Sequence, residues 1–81
     1  MTKIDGICYK SVFGGCSPTS SGYDWWQYPF VFEKVGTAGN LKKFYTGLEI
    51  KTVENGNENY SYCLDGGVYD SREQAMEQFG Y

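Results

Sequence analysis

The chain has no histidine, two prolines, three cysteines and no long apolar run in its 81 residues. Lacking histidine, it lacks the side chain that most often moves protons or ligates metals near neutral pH. A cysteine nucleophile would then be without its usual base, and no Cys-x-x-Cys pair offers a zinc site. Gly14-Gly15 and Gly66-Gly67 are not part of a Gly-x-x-x-x-Gly-Lys phosphate loop, and the acids do not follow calcium-loop spacing. No catalysis, metal or other cofactor is expected.

An odd number of cysteines cannot all pair within one chain, which fits a reducing compartment. Cys8 and Cys63 sit in strand-like stretches and read as small buried apolar residues. Cys16, in Gly-Gly-Cys-Ser-Pro, reads as an exposed thiol, with a Cys8–Cys16 bridge as the alternative. Nothing approaches the roughly 18 apolar residues of a membrane span. The opening Met-Thr-Lys-Ile-Asp-Gly has no signal-peptide core. A cytoplasmic location, away from any membrane, is expected. Positive charge is also short: seven bases against ten acids give a net charge of −3. Direct nucleic-acid binding is disfavoured, because it needs clustered Lys and Arg.

Aromatic residues are plentiful. There are two Trp, eight Tyr and five Phe, and six rings fall within Tyr23 to Phe32. At about 150–250 Å² of buried area per ring, they can sustain one small core, so residues 1–81 read as a single domain.

Residues 7–13 are β-branched and aromatic and read as a strand that stops at Gly14-Gly15. The stretch from Gly14 to Gly22 reads as a loop. From Tyr23 to Val35, alternation puts Trp26, Tyr28, Phe30 and Phe32 on one face and Trp25, Gln27 and Val31 on the other. The aromatic face is expected to pack on the core, with Trp25 the more exposed tryptophan. Pro29 implies an edge strand or a bulge. Asn55-Gly56 is a type I′ turn pair that joins residues 44–53 and 58–64 in a hairpin. A two-residue turn sets Lys51 opposite Tyr60, Glu49 opposite Tyr62, Ile50 opposite Ser61 and Leu48 opposite Cys63. Leu48, Ile50 and Cys63 would then face the core, leaving Tyr60 and Tyr62 beside charges on the other side.

At the end of the chain, Asp70 with Glu73, or Ser71 with Gln74, forms a capping box. A helix of about two turns should follow, running to Phe79 and stopping at Gly80, with Ala75, Met76 and Phe79 toward the sheet. The expected fold is α+β: a four-stranded, mainly antiparallel sheet with one short C-terminal helix packed on it. A small closed barrel without a docked helix is the competitor.

Small size, acidity, ring-rich strands and the terminal Leu64 to Phe79 strand, turn and capped-helix unit resemble small accessory proteins that phages and mobile elements use against host machinery, anti-CRISPR proteins among them. The resemblance implies a non-catalytic inhibitor or adaptor of a host protein or nucleoprotein complex. The residues themselves suggest a protein-binding surface of Trp25, Glu49, Glu58, Tyr60 and Tyr62, since Trp and Tyr dominate interface hot spots. Two alternatives stand beside it. One is a single-stranded nucleic-acid module that stacks bases on the aromatic sheet, with Lys42, Lys43 and Arg72 on phosphates. The other is a homodimer through an edge strand.

Overall fold

A computed structural model describes residues 2–15, 17–36 and 42–78. Among the described residues, six strands lie in one antiparallel sheet: β1 (Thr2–Ile4), β2 (Ile7–Gly14), β3 (Ser20–Ser21), β4 (Trp25–Lys34), β5 (Phe44–Glu54) and β6 (Asn57–Tyr69). The order is β1-β2-β4-β5-β6, with β3 added beside β4, and helix α1 (Arg72–Glu77) follows. The α+β class and the antiparallel sheet stand, but four strands is an undercount. The first missed strand, β1, is three residues long and joins β2 through Asp5-Gly6, both at positive φ. The second, β3, is two serines within the expected loop, where the Thr19 amide also donates to the Gln27 carbonyl.

The expected Asn55-Gly56 hairpin is present with the expected register, from Glu54 opposite Asn57 to Leu48 opposite Cys63. Beyond it, β6 holds two extra residues: Tyr45 pairs Val68 while Gly47 pairs Leu64. Asp65 fastens this bulge, accepting from the Thr46 hydroxyl at 2.5 Å and from the Gly67 amide at 2.8 Å. A Cβ on Gly67 would lie 2.2 Å from Thr46 Oγ1, so only glycine lets the two strands approach this closely.

Pro29 is in a central strand, not an edge strand. Its carbonyl accepts from the Gly15 amide at 2.7 Å. In a strand the N–H and C=O of one residue point the same way, so the missing donor falls where β2 ends and the chain leaves the sheet.

The sheet curls until β1 comes against β6, approaching the competing barrel without a hydrogen-bonded seam among the described residues. Inside the curl, Phe32 is fully buried with Ile4 and Tyr9, and Phe30, Tyr45, Tyr62 and Leu64 pack around them. Tyr62 meets Phe30 and Phe32 edge-on at 6.3 and 6.1 Å, and Tyr9 meets Tyr45 edge-on at 5.6 Å. Such ring pairs add roughly 0.5–1.5 kcal/mol each beyond area burial.

The opposite face carries buried Val31 and Thr46, and α1 docks against β4, β5 and β6 with Ala75 buried. Of the two caps, the later one forms: Ser71 Oγ accepts from the Gln74 amide at 3.1 Å, while Gln74 Oε1 accepts from the Asp70 amide. Phe79 and Gly80, the expected helix end, lie outside the described residues.

Candidate protein-binding face

The inner face of β4, β5 and β6 does not stay closed along its whole length. Toward the Asn55-Gly56 end, the ring cluster gives way to two rows across three strands. One row is Trp26, Lys51, Tyr60 and the other is Tyr28, Glu49, Tyr62. Lys51 lies 5.3 Å from the Trp26 ring centroid and 3.4 Å from Glu58. The Tyr60 hydroxyl donates to Glu58 at 2.7 Å, and the Tyr62 hydroxyl donates to Glu49 at 2.8 Å. Tyr60 is 50% exposed, a large value for so big a ring.

These contacts fix the charge state of the face. Burial first, and the Glu49 hydrogen bond next, push the Tyr62 phenol up to about 12. Glu58 pushes Tyr60 upward through its hydrogen bond, and that bond together with the Lys51 ammonium holds Glu58 below the ordinary carboxylate value. Near neutral pH both phenols stay protonated donors and Glu58 stays ionised.

Four of the five sequence-predicted residues, Glu49, Glu58, Tyr60 and Tyr62, come together here. Trp25 does not join them: it sits opposite Thr52 on the other face, half-buried. A Cβ on Gly22 would lie 2.0 Å from its indole nitrogen, so Trp25 lies directly against that turn. With Asp24, Gln27, Ile50, Thr52, Val53 and Glu54 it lines a separate groove of about 620 Å³.

Trp26 and Tyr28 take the place given to Trp25. The alternation along β4 holds, but the β4–β5 register matches its aromatic side to Tyr45, Glu49 and Lys51 rather than to Leu48 and Ile50. Leu48 and Ile50 are only half-buried, and Cys63, expected in the core, is exposed. Cys8 is half-buried with a free thiol; Cys16 lies outside the described residues.

The bases offered for phosphate contact are elsewhere and engaged. Lys42 pairs with Glu33 at 3.1 Å, Lys43 pairs with Asp70, and Arg72 reaches Glu73 at 4.0 Å. Lys43 precedes Phe44, whose partner is Tyr69, whereas Tyr60 faces Lys51. Seven residues of strand separate Phe44 from Lys51, about 23 Å at the usual rise. Among the described residues, no group of three or more Cys, Asp or Glu is placed to hold a metal ion, and no helix is long and apolar enough to cross a membrane. Comparison with protein-family models, curated proteins and solved structures finds no match.

Proposed function

We propose that this chain is a non-catalytic protein-binding module, an inhibitor or adaptor, that engages a host protein or nucleoprotein complex in the cytoplasm. The observation that carries the reading is the face of Trp26, Tyr28, Tyr60 and Tyr62 interleaved with Glu49 and Glu58 on rigid strands. Rings supply contact area at low entropy cost, and phenols already tied to carboxylates lose little freedom on binding. The carboxylates and the net charge of −3 favour a basic target surface, such as the groove through which a nucleoprotein complex holds its nucleic acid. A CRISPR-type defence complex, the target class that the phage-protein resemblance adds, fits that description.

The single-stranded nucleic-acid alternative is weaker, since Lys51 is the base beside the rings and it is already shared between Trp26 and Glu58. Affinity capture from a bacterial lysate, split into nuclease-treated and untreated halves, separates the two. The proposal expects a stoichiometric protein partner in both halves. Material lost on nuclease treatment would favour the alternative.

A further inference from the structure

The hairpin register determines which backbone groups of β6 point out of the sheet. Asn55-Gly56 is a two-residue turn, so Glu54 and Asn57 form a hydrogen-bonded pair, and the pairs then alternate. Val53, opposite Glu58, donates its amide away from β6 to the Asp24 carbonyl at 2.9 Å, which agrees with this phase. Asn59, Ser61 and Cys63 therefore bond inward to β5, while the N–H and C=O of Glu58, Tyr60 and Tyr62 face outward. No strand pairs with that outer edge among the described residues.

The other edge is the three-residue β1 and the part of β2 that it leaves uncovered, Lys10 to Gly14, which carries a lysine and a register shift, whereas β6 runs for thirteen residues. From Asn57 to Cys63 this edge has no Pro, Lys, Gly or bulge, the usual protections of a free edge. Protection begins beyond it, where the Asp65–Gly67 bulge follows Leu64.

We infer that two copies of this chain associate by antiparallel pairing of β6 with β6 about a two-fold axis at Tyr60. The structure favours a second copy because an axis at Tyr60 sets the one charge of the segment, Glu58, opposite an uncharged tyrosine and not opposite itself. Tyr60 falls opposite Tyr60 of the second copy, and Glu58 opposite its Tyr62. The three outward-facing residues of each chain then form three reciprocal pairs and six backbone hydrogen bonds. Asn59 meets Ser61 on the other face.

Glu58 is the one charged residue in Asn57–Cys63. The two-fold separates the two Glu58 side chains by four positions, about 13 Å along the strand. That exceeds the screening length of about 8 Å at physiological salt, and each Glu58 keeps its own Lys51. The product is one continuous sheet in which the two aromatic faces lie side by side. A contact of one seven-residue strand per chain buries less than the roughly 1,200–2,000 Å² of a stable interface. The dimer is accordingly weak and forms only as the concentration rises toward millimolar. This inference does not depend on any host partner.

Sedimentation analysis between about 10 μM and 1 mM, paired with amide hydrogen exchange at both ends of that range, tests it. Average mass should climb from 9.2 kDa toward twice that value. The amides of Glu58, Tyr60 and Tyr62 should gain several-fold protection with concentration, while Asn59, Ser61 and Cys63 are protected throughout. Tyr60→Pro, which removes an outward donor without touching the β5 ladder, should stay monomeric. A monomer at 1 mM overturns the inference, as does a dimer whose added protection lies elsewhere. If Tyr60→Pro fails to fold, the exchange pattern of the parent chain decides.

Discussion

Replacing Tyr62 with phenylalanine should change how stability depends on alkaline pH, and the structure sets both sign and size. In the folded chain the Tyr62 phenol is raised from 10.0 to about 12, chiefly by burial and then by its bond to Glu49. The unfolded chain therefore releases this proton first as pH rises. The contribution is complete below pH 10, declines between 10 and 12, and is gone above. Two units correspond to about 2.7 kcal/mol at 1.36 kcal/mol each. Solvent reaches part of this ring, so screening reduces the expected value to roughly 1–2 kcal/mol. Tyr62→Phe keeps the ring packing against Phe30 and Phe32 and removes only the titrating hydroxyl. Urea unfolding of both proteins at pH 9 and pH 11.5 reads the effect. The parent should lose about 1–2 kcal/mol more than the variant across that interval. Tyr9, also raised, titrates in both proteins and cancels in the comparison. Equal losses would refute the placement of Tyr62 between the ring cluster and Glu49.

Thr46→Val removes the buried hydroxyl that donates to Asp65 and should cost roughly 1.5–3 kcal/mol. Thermal unfolding should read this as a fall of about 6–24 °C in Tm. Ser71→Ala removes the N-cap of α1 and should cost about 1 kcal/mol, with faster hydrogen exchange at the Gln74 and Ala75 amides as the local readout.

What could be read from the residues was what local chemistry decides. Asn55-Gly56 dictates a two-residue turn, and from that turn every β5–β6 partner up to Gly47 follows by counting. Ser71 with Gln74 similarly marks the helix start, although Asp70 with Glu73 competed for it. Asp5-Gly6 carries the same kind of turn signal, but the three-residue strand before it is too short to show alternation. The β4–β5 register is different in kind, because no tight turn joins those strands. Which residues face the rings of β4 depends on burying Phe30 and Phe32 against Tyr45 and Tyr62, a tertiary choice that alternation within one strand leaves open. That choice moved Trp26 onto the tyrosine face in place of Trp25. The bulge at Asp65–Gly67 depends on the contact with Thr46 nineteen residues away, although its Gly-Gly pair was the available signal.

The central claim is that one face of β4–β6, and not the opposite one, binds a protein partner. The most direct test is the affinity of a captured partner for Trp26→Ala and Tyr60→Ala, each compared with Trp25→Ala on the other side of the sheet. All three variants should first be checked for an unchanged fold by circular dichroism. The account predicts losses of about 10- to 30-fold for the first two, the size of a hot-spot truncation, and parental affinity for Trp25→Ala. Parental affinity for the first two with a loss at Trp25 would contradict it and move the binding surface to the groove beside Asp24 and Glu54.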